Sequence, residues 1–503
     1  MTCRFHGFFL LVAACAAFGT EQTTIITNAT VLSPERSLPL LNAWVRIDHG
    51  MIVAVGTGQV DLSDSTVIDA EGGYLIPGLI DSHVHLYHAT GLKRRYTEDY
   101  SELYRAYMEQ QPRSFLYFGF TTVIELNADP DTNARFESAP VHPHLVHCGQ
   151  GIILSDGFMA LELEGEPIDQ AFPGYLIDHY TGGQVPQDTN TKGHSPEAAV
   201  QYVQQHGGRC VKLYYEEALW WPGGAPDFSL PSISIVRDVV TAAHAQNMPV
   251  VLHATTPNGH KFATETGVDV LAHGMWEWPD QAFDAPEPTP EYAQIAKQIA
   301  DSGIGLQPTV NTILNTASLF DAALLTNPEW SHVIPPSYMK YLQTDGQYQR
   351  EDFLARFASE LGDERTIEDF PDLMGAFISR YERLIGRMNA DGANLLFGTD
   401  TAVGGFGWAA PPGLAGYWEA QAWVRAGVSL EQLFESMTIG NARAFGLDEE
   451  IGSIEPGKRA DLLILTSSPL DDVAAYNTIT HVILKGELIT RESLSALQLE
   501  REN

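Results

Sequence analysis

A chain of 503 residues exceeds one ordinary domain of about 100 to 200 residues and suits a large domain with an accessory one. With 44% hydrophobic and only 18% charged residues it has material for a sizeable core, which excludes a disordered polyampholyte. The 29 Lys and Arg against 64 Asp and Glu leave a formal charge of −35, so neither a phosphate backbone nor an anionic membrane face would attract it, whereas cations would.

The first twenty residues carry Arg4 and then a short apolar run, Phe8 to Ala14, too short to span a bilayer. It reads as an export signal over residues 1–19, placing the mature chain in the periplasm. Val12-Ala13-Ala14-Cys15 resembles a bacterial lipobox, which would make Cys15 a lipid anchor and the only link to a membrane; plain cleavage near Ala17 to Thr20 is the alternative. Cys148 and Cys210 then remain, and two cysteines do not make a framework. They read as buried thiols, with a single bridge as the lesser reading.

From residue 20 to 75 short apolar-alternating runs separated by Asp, Asn and Gly predict a small β-meander, and the same pattern returns over 447–503. Between them apolar strands alternate with helical stretches such as IVRDVVTAAHAQNM, the pattern of βα units and a parallel sheet. Eight strands are predicted: LIPGLIDSHVH, TTVIEL, HLVHCGQ, RCVKLYYE, PVVLHAT, VLAHGMW, GIGLQPTV and NLLFGTD. The eight βα units suggest an α/β fold that closes into a (β/α)8 barrel over 76–446, between two β-rich chain ends. A helical insertion at about 311–391 follows the seventh strand, as a lid over the active face or as a peripheral decoration.

Chemistry gathers at strand ends. In Asp81-Ser82-His83-Val84-His85 the two histidines share one face of a strand, because side chains alternate with a period of two, and both imidazoles can hold one metal. His253, His273 and Asp400 each end a further apolar run, where a barrel collects its catalytic groups. These motifs, with the tail MTIGNARAFGLDEEIGSIEPGKRADLLIL, resemble the amidohydrolase superfamily over nearly the whole mature chain, in its imidazolonepropionase-like or prolidase-like branch. The resemblance implies a (β/α)8 barrel with a β-sandwich built from both chain ends, a metal-activated hydroxide, His83 and His85 on a first metal, His253 and His273 on a second, and Asp400 binding metal and moving protons. Lys212 stands where members with two metals carry a carboxylated lysine. The alternative is a strand lysine reaching solvent or pairing with Glu216, with one metal only. Imidazole and carboxylate ligands suit zinc best, with manganese, iron and cobalt left open.

The implied activity is cleavage of a C–N bond in a small amide, dipeptide or cyclic amide. A lactonase or phosphotriesterase on the same site, and a non-catalytic ligand-binding lipoprotein, are the alternatives. His253-Ala254-Thr255-Thr256 departs from the His-Ala-His-Gly of many prolidase-like relatives, which weakens any transfer of dipeptidase specificity. Tyr214 and Tyr215 are candidate oxyanion donors, at least one of them better read as packing. Trp220, Trp221, Trp276 and Trp278 are candidate pocket walls, while His88 reads as solvated and His142, His144 and His147 as ordinary strand and loop residues.

Overall fold

The structure is a computed structural model that describes residues 23–163, 166–182, 191–219, 227–279, 281, 285–318, 324–348, 369–402 and 410–499. The leader with Cys15, Trp220, Trp221 and the segment REDFLARFASEL lie outside the described residues.

Both chain ends meet in one eight-stranded sheet. From the first end come β1 (Thr23–Val31), β2 (Leu40–Asp48), β3 (Met51–Thr57), β4 (Ser65–Asp69) and β5 (Tyr74–Pro77). The strands Leu462–Leu465, Ile479–Leu484 and Glu487–Thr490 come from the other. The two ends join where β5 runs antiparallel to Leu462–Leu465, in the register Leu462 to Pro77 through Leu465 to Tyr74. Alternation of Ile26, Val45, Ile47, Ile52, Leu462, Ile464 and Ile483 toward one side builds the core of this layer.

The predicted first strand LIPGLIDSHVH is in fact two. It breaks at Pro77-Gly78, where the chain leaves the mixed sheet and starts β6 (Leu79–Val84). A Cβ on Gly78 would lie 1.9 Å from Thr121 Oγ1, so only glycine lets the chain cross so close to the next strand.

Two parallel sheets follow. One holds β6, β7 (Phe120–Glu125) and β8 (His144–His147). The other runs from β9 (Val211–Tyr214) through β10 (Val250–His253), β11 (Val270–Ala272) and β12 (Gly305–Gln307) to β13 (Asn394–Leu395). Hydrogen bonds also join their flanks: Ser82 N to Phe397 O at 3.1 Å, His85 N to Thr401 O at 2.6 Å and Arg209 N to His147 O at 2.8 Å. Helices between the strands bury one stripe each; in Ile233–His244 it is Ile235, Val236, Val239, Val240 and Ala243. Ser232, Thr256 and Thr289 cap three of these helices by accepting a backbone N–H.

The described parts of the segment after β12 pack against the rest of the chain. Tyr338 Oη donates to Thr90 O at 2.8 Å and Tyr341 Oη to Gly91 O at 3.2 Å, bracing the loop that follows β6. Tyr381, on the helix Phe370–Ala390, donates to Pro308 O at 2.5 Å and fills the space above Gly274.

Cys148 and Cys210 correct the reading as free thiols, because they form a disulfide. They sit just after β8 and just before β9, fully buried on facing chain segments with Cα atoms 4.4 Å apart. The bond closes a loop of 62 residues. A Cys148→Ala, Cys210→Ala double variant should lose about 2 to 4 kcal/mol in guanidinium unfolding, the range for such loops. Peptide mapping without reductant should recover the two segments joined, and recovery of two free thiols would refute the bond.

Candidate functional site

Strand geometry places the predicted histidines. His83 and His85 follow each other on one face at the end of β6, and the turn after β13 brings Asp400 back beside them. His83 Nε2 lies 3.2 Å and His85 Nε2 3.1 Å from Asp400 Oδ1. Ligand atoms of His83, His85 and Asp400 all lie within 4.8 Å of one another, the one such group among the described residues. His273, beyond β11, has its ring 5.1 Å from that of His83 and 4.6 Å from that of His253 at the end of β10. The four imidazoles thus form one continuous chain of rings.

Each of three histidines has one ring nitrogen committed to a partner outside the cluster. His85 Nδ1 lies 3.3 Å from Glu125 Oε1, His253 Nε2 2.7 Å from Glu216 Oε2, and His273 Nδ1 2.8 Å from Thr309 Oγ1. That leaves His253 Nδ1 and His273 Nε2 available and His85 Nε2 shared only with Asp400, the arrangement by which outer partners orient metal-binding imidazoles. Glu125 is itself fully buried and held by the backbone N–H groups of Leu86 and of Asn127, the latter at 2.7 Å.

Lys212 lies on β9, 1% exposed, with no hydrogen-bond partner for Nζ. The reading of a solvent-reaching or Glu216-paired lysine is excluded in this structure, since Glu216 pairs with His253 instead. Burial pulls the Lys212 ammonium down to about 7 against the opposing charges of Asp400 and Glu125. His83 is also buried, and apart from the approach of its Nε2 to Asp400 at 3.2 Å its ring nitrogens have no partner; burial and then the Lys212 charge drive it to about 3. Burial alone would lower His85, but its bonds to Asp400 and Glu125 raise it to about 9. Burial would likewise raise Asp400, yet the neighbouring His83, His85 and His273 hold it well below the carboxylate range.

Unpaired, buried lone-pair donors on His83 and Lys212, beside imidazoles fixed by outer partners, fit a divalent metal centre. The backbone is strained at the same place. His273, Thr309 and Asp400 have φ of 78°, 50° and 58°, and a β-branched residue in that region is a genuine outlier.

Other sequence candidates separate. Tyr214 shares the Lys212 face of β9, its ring 5.8 Å from His253, and burial holds its hydroxyl protonated. Tyr215 points away and packs on Phe262, with ring centroids 4.7 Å apart. Trp276 stands 5.0 Å from His273, while Trp278 stacks under the Arg380 guanidinium. His88 is half-buried rather than solvated, its ring 3.9 Å from Tyr87. His142, His144 and His147 do not converge on a ligand cluster among the described residues. Sequence reasoning missed Glu125, Glu216 as the partner of His253, and Thr309; a glutamate ending the apolar run TTVIEL was the available signal for the first.

Residues 74–489 match the model of the Amidohydrolase family. Among curated proteins the chain is similar to the enamidase of Eubacterium barkeri, 33% identical over 105 residues, 20% of this chain and 24% of that one. It is also similar to the dihydroorotase of Caldanaerobacter subterraneus subsp. tengcongensis, 32% identical over 132 residues, 25% of this chain and 27% of that one. The matched stretches thus span about a quarter of these relatives' lengths. A solved prolidase complexed with N-methylphosphonate-L-proline superposes with a TM-score of 0.65 at 21% identity, covering 93% of this chain and 100% of that one. The A. niger ochratoxinase superposes with a TM-score of 0.62 at 18% identity, over 93% of this chain and 96% of that one. At these identities the structures speak for the fold.

The outer partners generate a prediction. Glu125→Gln should keep the fold but weaken the binding of an added divalent metal by about 10- to 100-fold, the usual cost of losing such a partner. Competition against a chromogenic chelator measures it, and unchanged affinity would mean that Glu125 does not orient His85.

Proposed function

The chain belongs to the amidohydrolase family, and on that premise we propose that it is a metal-dependent hydrolase cleaving a C–N bond in a small amide, dipeptide or cyclic amide. The observation that carries this reading is the convergence of His83, His85 and Asp400 within 4.8 Å at the strand ends, with His273 and His253 continuing the cluster. In the same reading the eight parallel strands close into a (β/α)8 barrel, supported by the hydrogen bonds that join the flanks of the two parallel sheets. The sheet made from both chain ends is then the accessory domain.

His83, His85 and Asp400 would hold one ion, zinc by the character of its donors, and His253 and His273 a second, with a carboxylated Lys212 between them. A bound divalent ion supplies Lewis acidity to a carbonyl oxygen and brings the pKa of water towards neutrality. The chain itself does the rest. Asp400, kept ionised by its imidazole neighbours, takes the proton of the attacking water and returns it to the leaving nitrogen. Tyr214, kept protonated by burial, stands beside His253 to donate to the developing oxyanion. The buried neutral amine of Lys212 is the form that can take up carbon dioxide, because an ammonium has no lone pair.

Elemental analysis of the purified protein should find about two divalent ions per chain, as a paired site requires. Lys212→Ala should lose the second ion and most activity, with partial rescue by short-chain carboxylates. One ion in the parent protein would overturn the two-metal reading.

Asp400→Asn keeps a carbonyl oxygen at the same place but removes the base. Turnover should fall by about 10² to 10⁴, the range for a positioned acid-base group. The loss should be smaller for an activated ester, whose leaving group needs no proton. Equal fractional losses on amide and ester would remove the proton-carrier role.

A further inference from the structure

Glu125, Glu216 and Thr309 each steer one imidazole of the cluster, but no side chain steers Lys212 in the same way. Its Nζ has no hydrogen bond, Asp400 and Glu125 act on it through charge alone, and the ring that it meets, Tyr214 with its centroid 5.6 Å away, stands on the same strand. Lys212 is therefore placed only as well as β9 is.

β9 ends its sheet. On one flank it is laddered to β10, from Val211 beside Val250 to Tyr214 beside His253. On the other it faces β8, which belongs to the second parallel sheet, and among the described residues no ladder joins the two. Backbone hydrogen bonds cross that seam from Arg209 N to His147 O at 2.8 Å and from Ile152 N to Lys212 O at 2.9 Å. Between these two points the fully buried Cys148–Cys210 disulfide crosses it as well. Cys210, Lys212 and Tyr214 are two residues apart, so the alternation of an extended chain puts all three on one face. The register agrees, because Lys212 lies beside Val251, and Val251 belongs to one apolar cluster with Cys148, Cys210, Val146, Ile124 and Val270. The disulfide thus lies in the apolar floor of the face that carries the lysine. A covalent bond limits the parting of β8 from β9 where isolated hydrogen bonds, exchanged with water at little net cost, would not. We infer that Cys148 and Cys210 are positioning residues for Lys212: their bond fixes the unladdered flank of β9 and so holds the lysine amine toward the histidine cluster. The positioning follows from the strand geometry, and its consequence for a second ion rests on the hydrolase reading.

The test compares the full-length parent with Cys148→Ala, Cys210→Ala and with Ile299→Ala, a truncation of a fully buried side chain on the helix Pro290–Ser302 that leads into β12. Each chain is kept free of metal and well below its unfolding midpoint, its lysines are dimethylated with formaldehyde and borohydride, and the labels are read by mass spectrometry. Lys212 should be protected in the parent and in Ile299→Ala. In the double variant it should label about tenfold faster, as local opening of one segment would give, while the exposed Lys261 and Lys340 keep their rates. With a divalent metal added, the double variant should keep the first ion and bind the second about 10-fold more weakly, the cost of losing an orienting partner. Equal protection of Lys212 in parent and double variant would overturn the inference, and so would a rise shared by Ile299→Ala, which marks general loosening. If the double alanine chain does not fold, Cys148→Val, Cys210→Ala refills the apolar floor without the bond and takes its place in the same comparison. A parent that holds one ion yet shows the expected labelling contrast would count against the two-metal reading and leave the positioning standing.

Discussion

The position of the whole candidate site depends on one buried carboxylate. Asp81, 1% exposed on β6, accepts hydrogen bonds from Thr399 Oγ1 at 2.6 Å, Thr399 N at 3.1 Å and His83 N at 3.2 Å. A carboxylate in so dry a place is tolerable only with its acceptors filled, so the segment after β13 must lie against β6. That contact sets His83 and Asp400 at 3.2 Å from residues 317 positions apart in the chain. A second hold works on the same segment. Glu419 accepts the N–H groups of Val310 at 3.1 Å and Asn311 at 2.6 Å, and Asn311 Nδ2 donates to Thr399 O at 3.2 Å. Thr309, which orients His273, directly precedes this helix start, so the two holds together place three of the predicted residues.

With positions set this way, orientation becomes a matter of hydrogen-bond accounting. Glu125, Glu216 and Thr309 each occupy one nitrogen of a different imidazole, and the other nitrogen of His85 meets only Asp400, within the cluster itself. The positive φ angles of His273, Thr309 and Asp400 belong to the same economy. A relaxed backbone at these positions would aim the side chains elsewhere, and the surrounding bonds hold the less favourable form.

The parts legible in the sequence were those carried by local periodicity. The pairing of His83 with His85 follows from the strand repeat, and the ends of the apolar runs pointed to His253, His273 and Asp400, whereas Lys212, inside its strand, stood out only through the family resemblance. What stayed hidden depended on which strand ends become neighbours. Glu125 and Glu216 look like any polar residue closing a strand until β6 lies beside β7 and β10 beside β9. The disulfide stayed the lesser reading for the same reason, since 62 residues separate two cysteines that strand neighbours bring together. The division of LIPGLIDSHVH into two strands was visible as Pro77-Gly78, but its meaning needed the closeness of Thr121.

Asp81 and Asp400 show how far such neighbours decide chemistry. They are the same residue type, both buried, at the ends of adjoining chain segments. Burial lifts Asp81 to about 7, because its partners are a hydroxyl and backbone amides that offset only part of the lost solvation. Burial acts on Asp400 in the same direction and is overcome by the charges and hydrogen bonds of His83, His85 and His273. Two like groups pushed apart in this way take different work: the one held ionised can serve as a base, and the one raised can hold strands together with little charge to disturb it. The separation rests chiefly on those imidazoles, so in the proposed reading the residues that would bind metal also set which aspartate is held ionised.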